Sequence, residues 1–303
     1  MKGDKVFLYI LIFVSLLFIL TVFLLGLELY LGSENVFRTF GINFVLTSEW
    51  DPVKGIFGIA PLIFGSFITC LIALIIAVPL SLFIAYFLNE LTPYQLKPYF
   101  SSLIELLAAV PSVVYGLWAL LVLAPFLRDN VYLPLQNALG FIPFFQGAVT
   151  GYGILTAGIV LSIMILPTIT SITREALGLV PSHIKEAVIS LGAMQYQVAL
   201  LLFKYIKLAI IGAIILGFAR AFGEAMAVAM IIGGKHDFPL HIFDTGYTLP
   251  SIIVNEFTEA VNPLHYDSLI AVGFVLFLIA LANIVVARLI IYRTTRFMKG
   301  VVA

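Results

Sequence analysis

Two ionisable residues stand where few are tolerated. Arg220 and Glu224 lie inside the long apolar run Leu208 to Gly233. Arg220 is thirteen residues past Lys207, which places it about 20 Å along a helix rising about 1.5 Å per residue. That is close to the middle of a bilayer. A charge at that depth costs at least about 2.5–3.5 kcal/mol on insertion scales, so it must face protein or water and find a partner. The i, i+4 spacing predicts that the two residues share one helix face. A self-paired couple would fix packing. The chemistry favours more, because the planar guanidinium fork matches carboxylate and phosphate alike, and Arg220 could exchange Glu224 for a passing oxyanion.

Other chemistries find little to hold. Glu105 sits near the inner end of an apolar run and reaches the interface from there. His183, His236, His241 and His265 are scattered over loops without metal-ligand spacing. Nucleophilic catalysis lacks a Ser/His/Asp constellation, so an enzyme is disfavoured. A phosphate-cradling loop ending in Gly234-Lys235 would need glycine at 229, where Ala229 stands. Any ATP would have to be bound, with its Mg, by another chain. The single cysteine, Cys70, lies in an apolar run and reads as a core residue.

The elements that must position these residues are membrane helices. Hydrophobic residues make up 62% of the 303 and charged ones 11%, where a soluble domain carries about 25% charged residues. The expected class is an all-α polytopic membrane protein, and with a net charge of +0 and no basic patch, nucleic acid is excluded as a partner. About six runs match the roughly 20 residues needed to span a bilayer: Val6–Leu31, Ile56–Leu88, Leu103–Leu127, Gly151–Ile172, Leu208–Gly233 and Ser268–Ile291. The first reads as an uncleaved span, since no A-x-A site follows it. With the N-terminus inside, eleven Lys and Arg fall on the inner side (Lys2, Lys5, Lys97, Arg174, Lys185, Lys204, Lys207, Arg288, Arg293, Arg296, Lys299) and four outside. Both termini are therefore expected in the cytoplasm. Ten acids against four bases outside would not gather free anions, so an anionic cargo would need delivery.

Pro79, Pro111 and Pro167 interrupt spans two, three and four; they are expected to kink them, with Pro111 and Pro167 as candidates for lining a pathway. In span five Ala213, Gly217, Ala221, Ala225 and Ala229 repeat every four residues, a face on which backbones can approach closely. Before that span, Ser182 to Gly192 reads as a short amphipathic helix. Ser182 is the expected N-cap and Gly192 the left-handed end. Residues 1–55 then form a first span with its outer loop, and 56–303 a bundle with a polar loop at about 181–207.

Three stretches carry a family resemblance. Glu186-Ala187-Val188 followed by Gly192 resembles the loop that prokaryotic ABC-importer permeases seat in a cytosolic ATPase. Glu105 to Trp118 and Ala219 to Val228 are similar to the C-type permease of the high-affinity phosphate importer. The resemblance runs from about Gly55 to Arg296. It implies ATPase coupling through Glu186, Ala187 and Gly192, and phosphate passage past Arg220 and Glu224, in a prokaryotic plasma membrane. It also implies a sister A-type permease as heterodimer partner, two ATPase subunits that use ATP and Mg, and an extracytoplasmic phosphate-binding protein. The family's usual Leu-Pro after the loop is replaced by Leu202-Phe203-Lys204-Tyr205, so a straighter exit into span five is expected. A permease for molybdate or sulfate remains an alternative.

Overall fold

The computed structural model describes the backbone of residues 2–302 and the side chains of residues 5–290; the side chains of Lys2, Arg293, Arg296 and Lys299, used in the charge count, lie outside them. α1 (Lys2–Phe40) and the short α2 (Asn43–Leu46) lead into a two-stranded hairpin, β1 (Trp50–Asp51) and β2 (Ile56–Phe57). The pair is antiparallel, with Trp50 opposite Phe57. α3 (Ala60–Tyr86) crosses back and ends in a π-helical turn, Phe87–Leu91. α4 (Lys97–Ala109) is followed after a break by α5 (Ser112–Trp118), α6 (Ala124–Leu127) and α7 (Leu133–Leu139), which are joined by two more π-helical turns. α8 (Ile154–Gly178) crosses again. α9 (Ser182–Ser190) and α10 (Gln195–Tyr205) precede α11 (Lys207–Phe222), and α12 (Met226–Ile231) follows a break. α13 (Leu249–Glu256) and α14 (Pro263–Val302) complete the chain.

Among the described residues, five helical stretches are long and apolar enough to cross a membrane, and α10 with α11 makes a sixth if that bent pair is one span. α3 and α8 form the centre. Small residues allow it: a Cβ on Gly158 would come within 2.5 Å of Ile72 Cγ2. The small face of span five is used the same way. Ala213, Gly217 and Ala221 are buried, and a Cβ on Gly217 would meet Ile169 Cδ1 at 2.9 Å. Ala225 and Ala229 lie past the end of α11 and are half-buried, so the expected face stops at Ala221. In lipid, where apolar burial drives nothing, such close contact is what holds helices together. α1 packs on α14, buries Val36 in the core with Phe37 and Phe40 against it, and exposes most of its apolar side chains before Gly26.

Several boundaries differ from the sequence reading. Span three does not run as one kinked helix over 103–127. Val110 and Pro111 are both extended, so α4 stops and α5 starts anew with Pro111 at its N-cap. Pro111 thus separates two helices. Pro167 does lie within α8, where it is buried. Helix continues past the expected ends of spans one and three, to Phe40 and Leu139. The exit into span five is not straight: α10 and α11 meet at 73°. Ile206 makes this corner without proline, closing α10 by donating to Leu202 O and opening α11 by accepting from Ala209 and Ile210. Its side chain is buried with Val198 and Leu202, so packing sets the bend that a Leu-Pro would otherwise impose.

Candidate functional site

Arg220 and Glu224 are not on one helix face. α11 ends at Phe222, and Gly223, Glu224 and Ala225 form a break before α12. Glycine is a poor helix former, and here the backbone tightens, with Glu224 N donating to Ala221 O at 3.3 Å. Glu224 serves the next helix. Its Oε1 accepts from Ala227 N at 3.3 Å, one of the orphan donors at a helix start. It borders a narrow internal gap that Ser66, Thr69, Cys70 and Thr248 also line. Arg220, in the last turn of α11, is exposed and donates through Nη1 to Thr168 Oγ1 at 3.0 Å. The expected Arg–Glu pair is therefore absent: the break turns the carboxylate inward while the guanidinium stays at the surface of the bundle. A glycine followed by an acid and a new apolar run is a stop-and-start signal, and Phe222-Gly223-Glu224 carries it.

Thr168 was not among the sequence candidates. It follows Pro167 on α8 and is half-buried, as is Ser171 one turn on. A further turn along, Arg174 lies 3.8 Å from Glu105 Oε1, with Glu105 largely exposed. α8 thus presents a polar flank beside α4 and α11. The proline's missing N–H loosens the ladder here, and Ser81 of α3 donates to Leu166 O at 3.1 Å, beside Pro167.

The loop residues Glu186, Ala187 and Gly192 lie far along the chain from this break, at the end of the bundle where α3 and α8 finish. Glu186 and Ala187 are exposed on α9. Gly192 has φ +79°; Gly192 N donates to Ile189 O and Ala193 N to Val188 O, which closes the helix with the paired bonds of a Schellman turn. Nothing lies within 4 Å of a Cβ built there, so conformation, not space, demands glycine. Ser182 is not the N-cap. Pro181 occupies that position, and no side chain caps α9.

The opposite end holds a buried polar cluster that the sequence did not reveal. Glu256 Oε1 meets His236 Nε2 at 2.6 Å; its Oε2 meets His265 Nε2 and accepts from Trp50 Nε1, both at 3.0 Å. The His236 ring stacks on Trp50 and that of His265 on Phe57. Burial by itself would raise the Glu256 pKa, but the hydrogen bonds from His236 and Trp50, with the histidine charge, outweigh it and hold the carboxyl below its usual range. These residues are spread from position 50 to 265, so no local spacing betrays them.

The geometry defines a membrane-embedded helical bundle with a broken, charge-bearing helix and a short helix standing off one end. Comparison with known proteins agrees. Residues 77–296 match the family "Binding-protein-dependent transport system inner membrane component", and the chain belongs to it. It is 40% identical to the phosphate transport system permease protein PstC of Mesorhizobium japonicum, over 91% of this chain and 86% of that one. The Haemophilus influenzae protein of the same name is 39% identical, with 92% and 90% covered. A probable PstC of Methanocaldococcus jannaschii is 38% identical, with 88% and 87% covered. A structure of the MetNI methionine ABC transporter is a more distant likeness, at 17% identity and TM-score 0.49 over 78% of this chain and 94% of that one.

Proposed function

We propose that this chain is the permease subunit of an ATP-driven phosphate importer and forms part of the route for inorganic phosphate. The observation that carries the substrate is the 38–40% identity, over most of the chain, to permeases named for phosphate transport. The charge count supports placing α9 and both termini in the cytoplasm. There the exposed Glu186 and Ala187 would meet a separate ATPase, of which two copies would bind ATP and Mg. A sister A-type permease would cover the Arg220 face as heterodimer partner, and an extracytoplasmic binding protein would deliver phosphate to the acidic outer side.

In this role Arg220 supplies the positive charge that an anion needs at mid-membrane. Thr168 is a neutral partner, so a phosphate oxygen can replace its hydroxyl without separating an ion pair. Glu224 holds the start of α12 and with it the break. Pro111 and Pro167 shape the neighbouring backbone. Uptake of radiolabelled phosphate in a strain lacking its own importer permease is the test, with membrane levels checked by immunoblot. Arg220→Gln should insert normally and abolish uptake, and Arg220→Lys should keep part of the rate, since it retains charge but loses the bidentate fork. Undiminished uptake by Arg220→Gln would remove Arg220 from the pathway. Competition by sulfate or molybdate stronger than by unlabelled phosphate would reassign the substrate.

A further inference from the structure

α9 is nine residues long, and a helix so short is marginal alone in water. Its Glu186, Ala187, Ile189 and Ser190 are exposed, while Ile184, Lys185 and Val188 are half-buried toward the bundle. Val188 packs with Ala193 against the cluster of Ala85, Leu177, Val198 and Leu202. Lys185 does something different: its Nζ pairs with Glu90 Oε2. Glu90 belongs to the π-helical turn Phe87–Leu91 that ends α3, and its side chain is 10% exposed. Among the described residues, this is the ion pair that joins α9 to a membrane-crossing helix.

The far side of the pair is braced. Asn89 Nδ2 donates to Glu90 Oε1 at 2.8 Å, and Lys97 Nζ donates to Asn89 O at 2.6 Å. Thr92, through both its N–H and its hydroxyl, donates to Phe87 O. Tyr86 OH reaches Gln195 O at 3.3 Å. A π-helical turn carries an extra residue in its hydrogen-bonded ring and often sits where a helix must adjust. A largely buried carboxylate is costly to leave without its counter-charge. Any displacement of α9 that pulls Lys185 away therefore raises the energy of the α3 terminus unless that terminus follows. α3 in turn packs along α8, which carries Thr168.

We propose that the Lys185–Glu90 pair is a strut through which α9 moves the π-helical end of α3, in addition to the movement its chain connections pass to α8 and α10. The two are positioning residues. This rests on the reading of α9 as the ATPase-docking element. It names a second, non-covalent line from that element to the helices around Arg220. The spacing of the chain did not suggest it, since the partners lie 95 residues apart.

Two measurements test it, and they fail separately. In the full chain purified in detergent, without an ATPase, Lys185→Met should speed amide hydrogen exchange over 87–92 and leave α8 unchanged. Unchanged exchange there overturns the strut whatever the protein transports. In proteoliposomes holding the whole transporter and its binding protein, Lys185→Met and Glu90→Gln should each retain ATP hydrolysis. Phosphate moved per ATP should fall about tenfold in each, the factor that ~1.4 kcal/mol of coupling represents. The double variant should lose no more than either single one, because the interaction is already broken. Losses that multiply, or single variants that keep the wild-type ratio, overturn it. Wild-type vesicles that hydrolyse ATP without moving phosphate would instead overturn the proposed substrate, with the exchange result still deciding the strut.

Discussion

The two ends of the bundle are built on opposite plans. At the hairpin end the chain closes on itself: buried Trp50, Glu256 and His265 and half-buried His236 come from four separate segments and satisfy one another. Backbone does the same nearby, with Gly153 and Ile154 at the start of α8 donating to Ile231 O and Asp244 O. At the α9 end the elements are short and joined to the bundle through the Val188 cluster and the Lys185–Glu90 pair, and Leu191 and Met194 are 88% and 67% exposed. One end satisfies its buried polar groups with its own residues. The other leaves the Glu186 and Ala187 face of α9 exposed, the arrangement expected where a second chain finishes the structure.

Substitutions should separate the two plans sharply. The largest effect is expected from Glu256→Ala. It orphans Trp50 Nε1–H and the His265 imidazole in the interior and removes the partner of the half-buried His236. At about 1–3 kcal/mol per buried unsatisfied donor the loss should reach ~3 kcal/mol. Thermal unfolding in detergent should show a clear fall in Tm, with less protein in the membrane. A Tm equal to wild type would mean that this end does not depend on its polar cluster.

Acid should act on the same end more gently. Glu256 has a pKa held below its ordinary value of 4.5. The stability it contributes is therefore fully present above that ordinary value and is lost as pH falls through the lower, folded value. Between pH 7 and pH 3 the wild type should lose Tm below about pH 4.5, the ordinary carboxylate range, and Glu256→Gln should lose less over the same window. Parallel curves would show that other carboxylates govern acid unfolding.

The smallest effect on stability, with a large one on assembly, is expected from Gly192→Leu. Forcing a side chain into left-handed backbone costs about 1–2 kcal/mol, spent locally at the end of α9. The variant should insert and unfold near the wild-type temperature, yet recover much less ATPase in pull-downs. Normal ATPase recovery would show that the α9 turn is not the docking element, and the contrast between the ends would lose its functional meaning.

Membrane class, approximate spans, the small-residue face of span five as far as Ala221 and the left-handed turn at Gly192 were all legible in the chain. Each depends on residue type and spacing within one segment: apolar length for a span, a four-residue repeat for close packing, glycine for positive φ. The break at Gly223 was missed although Gly223-Glu224 carries a stop-and-start signal: the i, i+4 spacing of Arg220 and Glu224 assumed a continuous helix and so assigned them a shared face. What only the tertiary structure decided joins distant segments. Thr168 became the partner of Arg220 because α8 packs beside α11. The 73° corner at Ile206 arose from burial against α8 and α3 without a proline signal. Glu90 found Lys185, and Glu256 found Trp50 and two histidines, across separations that no periodicity spans. Local conformation is set by neighbours in sequence, whereas a buried charge takes whichever partner the packing of helices brings within hydrogen-bond reach.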